Sequence, residues 1–293
     1  MLRLPKRWIG RPEPPLRRRR AAYVLPTLFT AGNIFLGFLS IVKSLQGSLL
    51  ASGTIGPNPH LETAAKAIGV AVVMDGLDGR IARLTHTVSE FGRELDSLAD
   101  VITFGIAPAI LAFVWGVQFA TGGAPVPAEH LMRAGYFVSF LYLLCGAVRL
   151  ARFNIQVNPV PKNPGRPDRK YFVGLPIPGA AALIAAVVYA TDATPLVHWL
   201  WASGWMLLLA LLSFLMVSTW RYRSFKEFAL LRPRSPLTVV TSGILIYLLW
   251  YYSQPVLLGM AVAYVGSGLV VRIGGVLRRW FRPAHARPEH EVG

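Results

Sequence analysis

Four aspartates stand close together in a chain that is otherwise apolar. Asp75 and Asp78 are three residues apart, and Asp96 and Asp100 are four residues apart after a short polar segment. Residues at these spacings share one face of a helix, so the pattern predicts one carboxylate face on each of two successive helices. Carboxylate oxygens are the ligands that Mg²⁺, Mn²⁺ and Ca²⁺ prefer. The spacing therefore predicts a divalent-cation site formed by a helical hairpin.

The residues that surround the acids add space and positive charge to this predicted site. Gly79 and Ala82 continue the face of the first acid pair, and their small side chains leave room beside the carboxylates. Arg83 follows on the same face, and a guanidinium group suits a phosphate oxygen. Gly92 lies one turn before Asp96. Carboxylates, small residues and an arginine on one face predict a site for a metal-bound diphosphate.

The elements that must position these acids are predicted to be membrane helices. The 293-residue chain is 54% hydrophobic and 15% charged, with a mean hydropathy of +0.47, whereas soluble domains carry about 25% charged residues. Crossing a bilayer takes about 20 apolar residues, and such stretches recur along the chain. The fold class is therefore predicted to be an all-α, polytopic membrane bundle. Eight transmembrane helices are predicted, at 22–46, 62–84, 94–118, 131–153, 173–190, 196–217, 236–252 and 255–272.

The positive charge is distributed as expected for a membrane protein. The net charge is +16, which by itself would also suit a nucleic-acid-binding protein. Connections rich in Lys and Arg alternate with connections that contain none, however, as the positive-inside rule requires. This alternation argues against nucleic-acid binding and places both termini, and the acidic hairpin, on the cytoplasmic side. Basic segments at a membrane surface also attract anionic lipids.

Four regions are predicted along the chain. Residues 1–21 form a basic N-terminal arm and 276–293 a basic tail, and composition predicts poor order for 1–21 and for 281–293. Residues 22–230 form the membrane core, which contains six helices, and 231–275 add a further helical hairpin. The single cysteine, Cys145, excludes a disulfide framework, and the apolar run of the first helix is too long for a signal peptide.

The acidic motif resembles the signature of the CDP-alcohol phosphatidyltransferases. It matches that signature at eight positions within 26 residues: Asp75, Asp78, Gly79, Ala82, Arg83, Gly92, Asp96 and Asp100. The resemblance implies that the four aspartates hold two divalent ions, Mg²⁺ or Mn²⁺, and that the glycines, alanine and arginine of the motif bind the CDP-lipid. It also implies that Asp100 is the general base for an acceptor hydroxyl, which displaces CMP, and that the protein is a homodimer. An EF-hand is excluded because its Asp-x-Asp-x-Asp-Gly order is missing.

Sequence around the motif resembles the phosphatidylserine synthase branch of this family. The similar stretches are 25–41, 94–109, 145–154, 171–182 and 216–228. They imply CDP-diacylglycerol and L-serine as substrates, in the cytoplasmic (inner) membrane of a bacterium. Inositol phosphate, glycerol phosphate and choline remain the alternative acceptors. The departures are Thr27, Thr103 and Ile177, of which Ile177 weakens the serine assignment only if its side chain touches substrate.

Five polar residues outside the motif are candidates for binding the acceptor or a phosphate. Arginine binds carboxylates and phosphates bidentately, but arginines at a helix end can equally anchor the helix at the membrane surface. An asparagine can be a ligand, a helix cap or a partner of a neighbouring helix. The Gly174–Pro178 segment is either a headgroup-pocket wall or an ordinary helix start. The five candidates are Arg149, Arg152, Asn154, Asn33 and Lys226.

An ion-coupled transporter is the alternative from a different class of protein. Carboxylates within membrane helices often mark an ion pathway. A transporter, however, predicts acids spread over several helices, with no glycine, alanine and arginine beside them. The clustering of the acids in one hairpin favours the enzyme.

Overall fold

The computed structural model describes residues 16–50, 56–85, 90–120, 127–157, 171–223 and 236–280, some of them by their backbone alone. These residues are almost entirely helical, which confirms the all-α part of the predicted fold class. The eight transmembrane helices and the cytoplasmic termini stay predictions. A π-helical segment, Val101–Ile106, joins two of the helices, α3 and α4. The helices are α1 (Leu16–Leu50), α2 (Pro59–Thr85), α3 (Glu90–Asp100), α4 (Ala107–Gly116), α5 (Ala128–Val157), α6 (Ile177–Ala190), α7 (Trp199–Val217), α8 (Pro236–Tyr251) and α9 (Ser253–Trp280).

Each predicted apolar segment is helical, but the boundaries differ at several places. The predicted helix 94–118 is one continuous element made of α3, the π segment and α4. The poor order predicted for 281–293 falls on residues outside the described part of the chain. Both terminal helices extend into the regions predicted as arm and tail. There α1 already begins at Leu16 and α9 continues to Trp280. These ends carry arginines, and an α-helix satisfies its own backbone hydrogen bonds whether its side chains face lipid or headgroups.

In the described part of the chain, four helical spans are long and apolar enough to cross a membrane, which indicates an integral membrane protein. Two further helices are apolar but shorter, Ile177–Ala190 and Val239–Tyr251. Large apolar side chains such as Phe35 and Leu207 are exposed on the outside of the bundle, as expected of surfaces that face lipid. The four membrane-length spans are Thr27–Leu49, Phe91–Gly116, Ala128–Asn154 and Trp199–Val217.

The start of α6 is displaced from its predicted position by a short β-ribbon. Strand β1 (Tyr171–Val173) pairs antiparallel with strand β2 (Arg221–Arg223). Gly174 then turns the chain with a φ of +80°, and a Cβ at this position would lie 2.5 Å from the carbonyl oxygen of Met216. Only glycine combines this dihedral angle with so close a backbone approach. The helix predicted from residue 173 therefore begins at Ile177.

Helix α1 packs closely against both acid-bearing segments through two glycines. A Cβ on Gly32 would lie 2.9 Å from Cε of Met74, which precedes Asp75 in α2. A Cβ on Gly37 would lie 2.7 Å from Oγ1 of Thr103 in the π segment. Small residues allow membrane helices to approach in this way. Helix α1 therefore packs against both α2 and the α3–π–α4 element and fixes their positions.

Candidate active site

Three of the four predicted ligand carboxylates converge. Asp75 lies in α2, and Asp96 and Asp100 lie one turn apart in α3. One carboxylate oxygen from each of these residues lies within 4.8 Å of the other two. All three side chains are partly buried. Within the segment predicted to link the two helices, 85–91, residues 86–89 lie outside the described part of the chain. We call Asp75, Asp96 and Asp100 the carboxylate triad.

The triad fits a divalent cation. Three carboxylates at this separation repel one another unless a positive charge lies between them. Oδ1 of Asp100 is buried, and no described residue donates a hydrogen bond to it. Hard oxygen ligands with unused lone pairs are the donors that Mg²⁺ and Mn²⁺ take. The triad is therefore suited to a metal ion.

Asp78 lies next to the triad but does not belong to it. Its side chain is 8% exposed, and its Oδ2 accepts a hydrogen bond of 3.1 Å from Oγ1 of Thr30 in α1. Its Oδ1 has no hydrogen-bond partner among the described residues. The carboxylate is still within electrostatic range of Asp75 and Asp96. Its role as a metal ligand stays a prediction.

The residues predicted to bind the CDP-lipid lie on the same two helices as the triad, after Asp75 in α2 and before Asp96 in α3. The backbone of Gly79, Ala82 and Arg83 is helical and continues α2, but their side chains lie outside the described part of the structure. Gly92 is partly buried in α3, one turn before Asp96. Their contacts with the lipid diphosphate stay predictions.

A π-helical turn begins directly after Asp100. The N–H of Ala107 donates to the carbonyl oxygen of Ile102, five residues earlier, which is the π-helical pattern. The carbonyl oxygen of Phe104 accepts a hydrogen bond of 3.0 Å from the hydroxyl of the buried Tyr142 in α5. Single π turns inside α-helices occur frequently at functional sites. Here the turn changes the rotation of α3, which carries two acids, relative to α4, which lies in the core.

The two predicted arginines of α5 differ in their surroundings. Arg149 is partly buried and lies within electrostatic range of Asp100 and of Tyr264 in α9. Its Nε is buried and has no hydrogen-bond partner among the described residues. Arg152 is exposed. Arg149 therefore has an unsatisfied donor and lies within electrostatic range of Asp100, and its contact with a substrate anion stays a prediction. The exposure of Arg152 suits a surface anchor.

Asn154 contacts the acid-bearing helix. Its Nδ2 donates a hydrogen bond of 2.9 Å to Oγ of Ser97, whose hydroxyl donates to the carbonyl oxygen of Arg93. The alternative that Asn154 caps α5 is wrong, because the helix continues to Val157. Ser97 directly follows Asp96. Asn154 therefore connects α5 to the segment that carries two acids of the triad.

The remaining candidates are placed as follows. Asn33 is 2% exposed in α1, and its carbonyl oxygen accepts a hydrogen bond of 2.9 Å from Oγ1 of Thr103. Its Oδ1 is buried without a hydrogen-bond partner in the described residues. Lys226 lies outside the described residues. The substrate contacts of both stay predictions.

The Gly174–Pro178 segment packs inside the protein. The N–H of Gly174 donates to the carbonyl oxygen of Trp220 at 2.8 Å, and the N–H of Leu175 donates to that of Leu215 at 3.0 Å. Ile177 is fully buried, and its Cδ1 would lie 2.6 Å from a Cβ on Gly146 in α5. These two N–H groups are not available to a headgroup. Ile177 therefore fills a packing position, which favours the alternative that this departure from the family pattern changes only packing.

Several residues that support the acids were not among the predicted site residues, although Thr103 was noted as a departure from the family pattern. They are Thr30, Ser97, Thr103 and Tyr142, and each makes a hydrogen bond to a residue at least 38 positions away. The feature of the sequence that could have indicated three of them is a polar side chain at helical spacing from a predicted site residue. Thr30 lies one turn before Asn33, and Ser97 and Thr103 flank Asp100. Tyr142, in an apolar stretch, gave no such signal.

The chain is similar to known proteins over much of its length. The family model of the CDP-alcohol phosphatidyltransferases matches residues 23–216. A CDP-diacylglycerol–serine O-phosphatidyltransferase of Helicobacter pylori is 37% identical over 206 residues, which cover 70% of this chain and 74% of the relative. Proteins of the same name from Saccharomyces cerevisiae and Bacillus subtilis are 40% and 30% identical, over 54% and 70% of this chain and 50% and 93% of their own lengths. The chain belongs to the CDP-alcohol phosphatidyltransferase family.

Proposed function

We propose that this protein transfers the phosphatidyl group of CDP-diacylglycerol to L-serine, giving phosphatidylserine and CMP. The observation that carries the proposal is the convergence of Asp75, Asp96 and Asp100 from two helices within 4.8 Å. The family membership supports the reaction type. The names of the relatives in three organisms support serine as the acceptor.

In the proposed reaction, the hydroxyl oxygen of serine forms a bond to the lipid-side phosphorus of the diphosphate. The bond from this phosphorus to the bridging oxygen breaks, and its electron pair leaves with CMP. Asp100 accepts the proton of the serine hydroxyl. Oδ1 of Asp100 is buried and has no hydrogen-bond partner among the described residues. This supports the role, because a base must present a free lone pair to the hydroxyl.

Asp75, Asp78, Asp96 and Asp100 are proposed to hold the divalent cations, Mg²⁺ or Mn²⁺ and two in number. When bound, the ions would neutralise the diphosphate charge and stabilise the leaving phosphate. Of the two carboxylate oxygens of Asp78, only Oδ1 is available to a cation, because Oδ2 accepts the hydrogen bond from Thr30. Gly79, Ala82, Arg83 and Gly92 are proposed to receive the CDP group beside the cations.

Arg149 is the residue we propose for the carboxylate of serine. It is partly buried, lies within electrostatic range of Asp100 and has an Nε without a hydrogen-bond partner among the described residues. A serine held by its carboxylate would keep its hydroxyl free for the base. Arg152, which is exposed, is assigned to the membrane surface.

The placement of the chain in the membrane is also part of the proposal. Eight transmembrane helices, cytoplasmic termini and an active site on the cytoplasmic side follow from the alternation of basic connections. This side is where the water-soluble serine would arrive. The inner membrane of a bacterium and the homodimer stay predictions.

The test uses the purified full chain, CDP-diacylglycerol in mixed micelles and Mn²⁺ or Mg²⁺, and follows CMP release with a panel of acceptors. We expect CMP release with serine, and no release with glycerol phosphate, inositol phosphate or choline. Asp192→Asn is a matched control for Asp→Asn variants of the motif. Asp192 lies in the turn after α6, and its φ of 51° is one that asparagine tolerates. Release with another acceptor but not with serine would overturn the specificity.

A further inference from the structure

Helix α1 contributes a neutral side chain to the acidic site. Thr30 is 5% exposed, Asp78 is 8% exposed, and the hydrogen bond of 3.1 Å from Oγ1 of Thr30 to Oδ2 of Asp78 is buried. The bond connects residues 48 positions apart. Thr30 does not belong to the acidic motif. A neutral donor satisfies one lone pair of the carboxylate without neutralising its charge.

This bond makes the two oxygens of Asp78 unequal. Oδ2 is occupied by Thr30, whereas Oδ1 is buried and has no hydrogen-bond partner among the described residues. A buried carboxylate oxygen without a donor is costly unless a cation or a water molecule satisfies it. Asp75 and Asp96 lie within electrostatic range of Asp78, so the unpaired oxygen lies near two other carboxyl groups.

The position of Thr30 is itself held firmly. One turn later in α1, the carbonyl oxygen of Asn33 accepts the 2.9 Å hydrogen bond from Thr103 in the π segment. Gly32 packs against Met74, next to Asp75. Helix α1 is thus fixed against both acid-bearing elements around the residue that contacts Asp78. A positioning group must be rigid in this way to orient a ligand.

We propose that Thr30 is a positioning residue for the metal site: its hydroxyl holds one oxygen of Asp78 and reserves the other for a divalent cation. The inference rests on the proposed function. It explains why Asp78 stands apart from the carboxylate triad and still belongs to the motif. Partners that orient a metal ligand in this way typically change metal affinity about 10- to 100-fold when they are removed.

The test compares Thr30→Val, which removes the hydroxyl at nearly constant shape, with Thr30→Ser, which keeps it. Mn²⁺ binding is measured on the purified full chain without substrate, by electron paramagnetic resonance of the free ion. The Mn²⁺ dependence of CMP release is measured in parallel. We expect Thr30→Val to raise both half-saturation concentrations about tenfold or more, and Thr30→Ser to restore them to within about threefold of the wild-type value, since the hydrogen bond persists.

Thr63→Val is the matched control. Thr63 also lies in a helix, and its Oγ1 donates only to the carbonyl oxygen of Pro59 in the same helix. This variant should leave Mn²⁺ affinity unchanged. Thr30→Ala makes the same deletion with a smaller side chain, so it provides the measurement if the valine variant does not fold.

The outcomes separate this inference from the proposed function. If the wild-type protein binds Mn²⁺ but releases no CMP with any acceptor, the proposed function fails. If the wild-type protein releases CMP, and Thr30→Val and Thr30→Ala bind Mn²⁺ as tightly as it does, only the role of Thr30 fails. A serine variant as weak as the valine variant would also overturn that role, since it would show that the methyl group matters.

Discussion

The hydroxyl of Tyr142 donates a 3.0 Å hydrogen bond to the carbonyl oxygen of Phe104, within the π turn that follows Asp100. Tyr142 is fully buried in α5. A π turn displaces backbone groups from the regular α-helical pattern, and an unpaired buried carbonyl group would be costly. This bond therefore stabilises the turn that sets the orientation of two acids of the triad relative to the core.

We predict that Tyr142→Phe destabilises the protein and slows the reaction. The Phe104 carbonyl group then lacks this donor, which should lower the free energy of unfolding by about 1–3 kcal/mol. A small shift of Asp100 should lower kcat by roughly tenfold or more. Tyr189→Phe is the control, because its hydroxyl contacts Ser253 at the start of α9. Thermal melting and CMP release check both effects, and equal kcat losses in the two variants would contradict the prediction.

Asn154→Ala and Ser97→Ala should have similar effects that are not additive. Asn154 donates to Oγ of Ser97 at 2.9 Å, so each variant removes the same connection between α5 and α3. Neighbouring residues that share a contact show a coupling energy of about 0.5–3 kcal/mol. The measurement is a double-mutant cycle on kcat and on the KM for serine. If Asn154 binds serine directly, Asn154→Ala alone will raise that KM.

Arg149→Lys should weaken serine binding more than Arg152→Lys. Arg149 is partly buried within electrostatic range of Asp100, whereas Arg152 is exposed. Lysine cannot reproduce the planar, bidentate contact that a guanidinium group makes with a carboxylate. We expect the KM for serine to rise about tenfold or more for Arg149→Lys, as for the loss of a charged hydrogen bond. Similar KM values for the two variants would refute the distinction.

Asp100→Asn should fold but release CMP very slowly. An amide cannot accept the proton of the acceptor hydroxyl, and a general base contributes about 10²- to 10⁴-fold to the rate. The turnover number should fall by that amount, while Asp192→Asn stays near the wild-type value. Near-normal turnover of Asp100→Asn at saturating Mn²⁺ would show that Asp100 is not the general base.

Gly37→Ala should lower stability, whereas Gly69→Ala should not. A Cβ on Gly37 would lie 2.7 Å from Oγ1 of Thr103 and 2.9 Å from its Cα, and the backbone atom cannot move aside. Such overpacking costs about 1–3 kcal/mol. A Cβ on Gly69 would meet no atom within 4 Å, so alanine is tolerated in that helix. Melting temperatures in one detergent provide the comparison, and an equal loss in both variants would contradict close packing at Gly37.

Much of the architecture could be predicted because membrane helices depend on local patterns. Apolar runs of sufficient length predicted each helical segment, and the spacing of the acids predicted which two helices carry the site. The start of α6 could not be predicted in this way. It depends on the pairing of Tyr171 with Arg223 and on the approach of Gly174 to Met216, which are contacts between distant parts of the chain.

The sequence by itself determined the kind of chemistry, since the residue types at 75–100 and their helical periodicity are local properties. The tertiary structure decided which carboxylates converge. The carboxylates of Asp75, Asp96 and Asp100 converge, whereas that of Asp78 accepts a hydrogen bond from Thr30. The physical reason is that the rotation of each helix is set by contacts between residues 38 to 70 positions apart, such as those of Tyr142 with Phe104 and Thr103 with Asn33. No local pattern of residues encodes those contacts.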